Sequence, residues 1–205
     1  MKKDFFVHET AIVEEGVRIG KDTKIWDNVH IRKNAFIGEK CIICGKTYIA
    51  YDVKIGDLVK INSSVYICAG VTIKDKVMIA AGTIFTNDRF PRSVGVDSVE
   101  LFTSDPTDEM EETMVETGVT IGAGAVIGCG ISLGEYCMIG MGSVVTKSVD
   151  PYTLVYGSPA RIKGYVCACG KPLDIKPGKV SCGYCSTEYS VSDKKDVKLI
   201  KSVRL

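Results

Sequence analysis

Counting in sixes from Val7 lands on Val13, Ile19, Ile25, Ile31, Ile37, Ile43, Ile49, Ile55, Ile61, Ile67, Ile73, Ile79 and Phe85. Only the last of these is not aliphatic. A second count, from Val115, reaches Ile121, Ile127, Leu133, Ile139 and Val145. Four places after many of these stands a small or β-branched residue: Ala11, Val17, Thr23, Val29, Ala35, Cys41, Thr47 and Val53, then Ala125, Cys137 and Ser143. An amphipathic helix repeats near 3.6 residues and a plain strand at 2, so neither gives a period of six. Fourteen successive hits also argue against an ordinary β-sandwich with chance periodicity.

A period of six fits a triangular coil. Each side is one short strand, along which inward and outward residues alternate, and each corner is a two-residue turn. The turn pairs include Asp27-Asn28, Lys33-Asn34, Tyr51-Asp52, Ala69-Gly70 and Ala81-Gly82, rich in residues that tolerate tight turns. Three hexads make one coil, and coils stack at ~4.8 Å as strands do in any sheet. About twenty hexads predict between six and seven coils. Each inward Ile or Val contributes roughly 1.5–3 kcal/mol of burial, so the column needs no helices, although its ends need caps. The fold class is therefore all-β, a parallel β-helix.

Between Phe85 and Val115 the repeat breaks, and residues 97–114 are acidic, carry Pro106 and show no hexads. A long excursion inside a compact domain is usually functional, so the inserted loop, about 92–114, is expected to serve the active site. The formal net charge of +1 gives no reason to expect nucleic acid or an anionic membrane as partner. Met1 to His8 lacks the apolar core of a signal peptide, and the longest apolar stretch, Val77 to Phe85, is too short to span a bilayer. Nine cysteines, an odd number, point to reduced thiols and a metal site in a cytoplasmic protein rather than a disulfide framework.

Over about residues 7 to 164 the chain resembles the hexapeptide-repeat acyltransferases, left-handed β-helices that assemble as trimers and are an exception to the right-handed crossover rule. Val155-Tyr156-Gly157-Ser158-Pro159-Ala160-Arg161 is similar to the segment that closes the helix in these enzymes. Phe85-Thr86-Asn87-Asp88-Arg89-Phe90-Pro91-Arg92-Ser93 resembles the F-T-N-x-x-x-P-R-S signature of nucleotide-sugar N-acetyltransferases that modify a 3-amino group. Residues 25–31, Ile-Trp-Asp-Asn-Val-His-Ile, resemble another stretch of those enzymes. Asp27 stands where they often have His, so no role for that His carries over.

The resemblance implies transfer of acetyl from acetyl-CoA to the amino group, at C3, of a UDP- or dTDP-linked sugar in surface-polysaccharide precursor synthesis. It also implies a homotrimer whose inserted loop reaches the neighbouring subunit. No Lys or Arg occurs from Ser93 through Thr146, so the phosphates of coenzyme A must find their cations elsewhere. Lys147, Arg161 and Lys163 are the candidates, with Gly124, Gly142 and Thr146 completing the expected cofactor site. Arg89 and Arg92 are placed for a second anion, that of the substrate, since Arg pairs bidentately with phosphate or carboxylate.

By the hexad count Asn87 and Asp88 occupy the corner where the loop departs. Asn87 is the candidate to orient the amine or polarise the carbonyl, with Asp88 or His30 as proton acceptor. Asn also suits such a corner as plain turn chemistry. The only histidines are His8 and His30. His8 belongs to the N-terminal cap; His30 points out from a flat face, where it is either structural or reaches the acceptor across a subunit interface. Two histidines cannot supply the three ligands of a zinc carbonic anhydrase. A neutral amine is already a nucleophile, so positioning it can supply much of the rate without a histidine base. Acetylation of a hydroxyl on a small sugar and a non-catalytic β-helix binding protein are the alternatives.

The helix domain is assigned to residues 1–164 and a C-terminal unit to 165–205, where Cys167-Ala168-Cys169-Gly170 and Cys182-Gly183-Tyr184-Cys185 appear. Cys167, Cys169, Cys182 and Cys185 read as a zinc ribbon with four thiolate ligands, although the first pair is one residue tighter than the usual spacing. A unit of about forty residues with little apolar content does not readily fold alone without metal. Four thiolates leave no open position, so the expected zinc is structural. Cys41, Cys44, Cys68, Cys129 and Cys137 lie within hexads and read as packing residues.

Overall fold

The computed structural model describes residues 4–103 and 110–202. Residues 1–3, 104–109 and 203–205, which include part of the expected loop and the ends of both expected domains, lie outside the described residues. The chain forms a left-handed parallel β-helix. Almost every coil strand is two residues long, an outward residue followed by an inward one. The first face runs from Phe6–Val7 to Thr153–Tyr156, the second from Ile12–Val13 to Val144–Val145, and the third from Arg18–Ile19 to Ser132–Leu133.

Partners lie eighteen residues apart, as in Lys24↔Ile42 on the first face and Tyr48↔Tyr66 on the second. Across the break the separation becomes forty-two, as in Phe85↔Ile127 and Ile73↔Val115. The excursion is thus looped out without disturbing the register of the coils on either side. Thr113–Val115 already belongs to the third face, so the repeat resumes slightly before the expected end of the loop.

The inward Ile residues from Ile25 to Ile79 are buried in one continuous column that continues through Phe85, Val115 and Leu133 to Val145. Among them sit hydroxyls satisfied by carbonyl oxygens: Thr23 Oγ1 donates to Gly38 O at 2.7 Å and Ser143 Oγ to Gly140 O at 2.7 Å. The second residue of the turn adopts the left-handed conformation at Asn28, Asn34, Asp52, Gly70 and Gly82. Lys40, Lys46 and Leu58 do so as well, without the side-chain chemistry that favours it.

The second face has seven strands, the upper end of the expected coil number. Thr153–Tyr156 adds a further turn to the first face and is then covered by the antiparallel strand Arg161–Tyr165. Beyond it, Gly178–Ser181, Glu188–Val191 and Val197–Lys201 form a small antiparallel sheet. This unit has its own core of Cys167, Leu173, Val180, Cys182, Cys185, Tyr189, Val191 and Val197. Tyr152 of the last coil joins that core, stacked on Tyr136 at 5.6 Å and edge-on to Tyr189 at 5.2 Å. The C-terminal unit therefore caps the solenoid, as an open hydrophobic end requires. Among the described residues no helix is long and apolar enough to cross a membrane.

Candidate active site

The edge between the second and third faces collects many of the candidate residues. Thr86 N–H donates to Ile127 O at 3.0 Å and Gly128 N–H to Val145 O at 2.9 Å. Thr86-Asn87, Gly128-Cys129 and Thr146-Lys147 therefore succeed one another along it. Asn87 and Lys147 are two rungs apart, or about 10 Å at the usual strand spacing.

Asn87 Nδ2 donates to Met110 Sδ at 3.4 Å, and Met110 packs against the main core. The start and the return of the excursion thus meet at Asn87. Asp88 Oδ1 accepts from Phe90 N–H at 2.7 Å, a local turn contact that engages the carboxylate proposed as proton acceptor. Arg92 is exposed and, among the described residues, donates to its neighbour through Nη1 to Pro91 O at 3.2 Å. Arg89 is organised: its Nη2 donates to Glu111 Oε2 at 2.7 Å and lies 3.5 Å from Cys129 O. The Glu111 charge raises the Arg89 pKa further. Sequence reasoning missed Glu111, whose position depends on how the excursion returns.

The cofactor candidates divide between two edges. Thr146, Lys147 and Arg161 line one cavity of about 260 Å³, with Val145, Val149 and Ala160 beside them. Lys163 lies outside that lining, its ammonium 5.4 Å from the Tyr156 ring centroid. Gly124 and Gly142 open the second face at its other edge, where Gly142 N–H donates to Ala123 O and Gly124 N–H to Ala81 O. Both have positive φ, and a Cβ on either would meet nothing within 4 Å. At Gly124 and Gly142 themselves the backbone therefore faces open space.

His30 is separate from Asn87 within one chain. It lies on the second face three rungs from Ile84, through Tyr48 and Tyr66, or about 14 Å. Its Nε2 is 2.9 Å from Glu14 Oε1. Glu14 also meets Arg32 Nε at 2.6 Å and accepts from Lys33 N–H at 3.0 Å. Arg32 Nη1 in turn donates to Tyr48 OH at 2.7 Å. Desolvation pushes the Glu14 carboxyl up, but the hydrogen bonds from His30 and Lys33 and the Arg32 charge outweigh it and hold it below the ordinary value. The separation leads to one expectation: His30→Ala keeps most of the turnover number, which a steady-state acetyl-transfer assay reads directly.

Burial pushes the thiols of Cys68 and Cys137 up to about 12, in keeping with packing roles inside the coils. The C-terminal cysteines are different. The sulfurs of Cys167, Cys169, Cys182 and Cys185 all lie within 4.8 Å of one another, with Cys167 to Cys185 at 3.4 Å and Cys169 to Cys182 at 3.8 Å. Tetrahedral zinc–thiolate bonds of about 2.3 Å put sulfurs about 3.8 Å apart, so this donor set is compatible with a zinc-binding unit.

Residues 112–147 match the family model for the bacterial transferase hexapeptide (six repeats). A dTDP-3-amino-3,6-dideoxy-alpha-D-galactopyranose 3-N-acetyltransferase of Aneurinibacillus thermoaerophilus is 47% identical over 81 residues, which is 40% of this chain and 42% of that protein. A serine acetyltransferase of Buchnera aphidicola is 34% identical over 87 residues, 42% of this chain and 32% of that protein. The matches thus span less than half the length of these curated relatives. The crystal structure of an acetyltransferase candidate from Bacillus cereus superposes with a TM-score of 0.58 at 21% identity, covering 81% of this chain and 86% of that one. That likeness is one of fold.

Proposed function

We propose that the chain is an acetyl-CoA-dependent N-acetyltransferase acting on the amino group, at C3, of a UDP- or dTDP-linked amino sugar in surface-polysaccharide precursor synthesis, in the cytoplasm. The observation that carries this is the 47% identity over 81 residues to a dTDP-3-amino-sugar 3-N-acetyltransferase. In the reaction the amine lone pair attacks the thioester carbonyl, a C–N bond forms and the C–S bond breaks. The amine gives up a proton and coenzyme A leaves as the thiol. Asn87 orients the amine or polarises the carbonyl at the edge where the excursion begins and ends. Holding both reactants there converts a bimolecular encounter into a positioned one, the main source of rate for a neutral amine.

Coenzyme A takes the cavity lined by Thr146, Lys147 and Arg161, with Lys163 and the edge at Gly124 and Gly142 contributing further along its length. A homotrimer accounts for the division of these residues, since neighbouring copies bring different edges of the prism together. Arg89 and Arg92 take the anionic part of the sugar nucleotide. Structural zinc is held by Cys167, Cys169, Cys182 and Cys185. Lys147→Ala and Arg161→Ala are each expected to raise KM for acetyl-CoA about tenfold, the loss of one charge-assisted hydrogen bond of roughly 1.5 kcal/mol. Varying acetyl-CoA at saturating acceptor checks this.

A hydroxyl acceptor is the second reading, favoured by the His30–Glu14 pair, an imidazole held by a carboxylate as a general base would be. A screen of acetyl-CoA consumption against UDP- and dTDP-linked 3-amino sugars and their 3-hydroxy counterparts tests both. Turnover confined to the amino sugars is expected; turnover of none of them overturns the proposal.

A further inference from the structure

A second cavity adjoins the one assigned to coenzyme A. It measures about 740 Å³ and lies where the last coils meet the C-terminal unit. Asp150 and Ile162 line both cavities. Val149 bridges to Leu133, so the chain from Lys147 to Asp150 crosses the end of the third face. Three residues of extended chain cover about 10 Å, which sets the step from one cavity to the next. Pockets that enclose drug-sized ligands run to about 300–1,000 Å³. At about 260 Å³ the first cavity falls below that range, and coenzyme A is larger than most drugs. The cofactor therefore has to continue beyond Thr146, Lys147 and Arg161.

The walls of the second cavity differ in charge. Glu135 and Asp150 stand on the coil side, and Lys194, Lys195 and Lys198 on the C-terminal side. Residues 165–202 hold seven Lys against four Asp and Glu, whereas residues 93–146 hold no Lys or Arg. Ion pairs among the described residues gather at Glu14, Glu111 and Glu188, and none engages Lys194, Lys195 or Lys198. Their turn is braced: Lys195 N–H donates to Ser192 O at 2.9 Å, and Ser192 N–H to Asp196 O at 3.0 Å. Asp196 Oδ2 accepts from Ser192 Oγ at 3.1 Å, which ties the nearest carboxylate to its own turn. Val166 N–H donates to Tyr152 O at 2.8 Å, and Tyr189 packs edge-on to Tyr152. These contacts hold the two walls together. A ligand with phosphates at one end and an amine donor at the other suits such a cleft, and Tyr165 in its lining offers a surface for base stacking.

We propose that the C-terminal unit completes the coenzyme A site, with Lys194, Lys195 and Lys198 binding the 3′-phosphate and the Glu135–Asp150 wall receiving the adenine amine. This rests on the acetyl-CoA reading above. Coenzyme A carries a diphosphate and a separate 3′-phosphate; Lys147 and Arg161 match the first, and the three lysines match the second. The thioester end is untouched. The lysines therefore act on affinity for the donor and leave the bond-making step as it was.

The test uses the full-length protein and two donors, acetyl-CoA and acetyl-dephospho-CoA, which differ only in the 3′-phosphate. Steady-state kinetics are run on the best amino sugar of the panel, and calorimetric titrations use coenzyme A and dephospho-CoA without acceptor. Wild-type protein should show a KM about tenfold lower for the donor with the phosphate, the scale of one charge-assisted contact. Its kcat should be the same with both within about twofold. The triple variant Lys194→Ala/Lys195→Ala/Lys198→Ala should lose that preference, in KM and in calorimetric affinity alike, because the lysines and the phosphate then form one interacting pair. Lys176→Ala/Lys201→Ala removes as many charges from the same unit as two of those substitutions do, away from the cleft, and should keep the preference.

Should the triple variant fail to fold, Lys195→Glu alone, on the exposed turn, should abolish the preference. Equal use of both donors by wild-type protein, or a preference that survives the lysine substitutions, overturns the inference and leaves the proposed activity intact. A lysine-dependent preference for coenzyme A in calorimetry, with no amino sugar acetylated, overturns the proposed acceptor and supports the site. Wild-type protein that binds neither coenzyme A nor dephospho-CoA overturns both.

Discussion

Asn87→Ala should lower kcat by about a hundred- to a thousand-fold while leaving the β-helix folded. Losing one oriented hydrogen-bond donor at the reacting groups typically removes about 2.7–4 kcal/mol of transition-state stabilisation. The fold should tolerate the change because Asn87 stands outside the buried column, its amide donating, among the described residues, to Met110 Sδ. The loss should fall on kcat more than on either KM, since the amide acts on atoms whose charge changes during the reaction. Asn87→Asp is a sharper control: it keeps the size but removes the donor, and should be nearly as slow. Rapid-mix single-turnover kinetics with a melting curve for each variant checks the expectation. Retention of full turnover by both variants would remove Asn87 from the chemistry and leave it as a turn residue.

Cys182→Ser should release zinc and unfold the C-terminal unit. Structural zinc sites of this kind bind with on the order of 10–16 kcal/mol. A core as small as that around Tyr189 supplies only about 3–5 kcal/mol. Metal analysis of wild-type protein purified under reducing conditions should find one zinc per chain, and the variant none. The β-helix should keep its far-ultraviolet signal, because its column of inward Ile residues forms a separate core. Near-ultraviolet signals from Tyr152 and Tyr189 should change, since these rings pack together where the two parts join. Metal-free wild-type protein with a native near-ultraviolet spectrum would overturn the zinc assignment.

The repeat was legible because an inward position of the coil admits almost nothing but an aliphatic side chain at every rung. The turns were legible where Asn, Asp or Gly took the left-handed residue. They were silent at Lys40, Lys46 and Leu58, where the stacked coil imposes the conformation against local preference. The clustering of Cys167, Cys169, Cys182 and Cys185 was legible from spacing alone, since two close cysteine pairs in a short segment are readily brought together by one hairpin.

Register arithmetic also held more than composition did. His30, Tyr48, Tyr66 and Ile84 differ by eighteen each, so the distance of His30 from Asn87 was implicit in their numbers. The same arithmetic puts Gly124 and Gly142 at the start of the second face and Thr146 at its end. Glu111 had no such signal. It lies in the stretch with no period, and its pairing with Arg89 follows from where the excursion returns, which no local rule sets.

The measurement that bears most directly on the proposed activity is the identity of the bond made. Incubation with carbonyl-labelled acetyl-CoA and the preferred 3-amino sugar nucleotide, followed by carbon NMR of the product, distinguishes an amide from an ester. The expected product carries a single acetamido group at C3, resistant to hydroxylamine, formed at a rate that rises with pH until the substrate ammonium has lost its proton. An acetyl ester on a sugar hydroxyl, cleaved by hydroxylamine, would contradict the proposed activity.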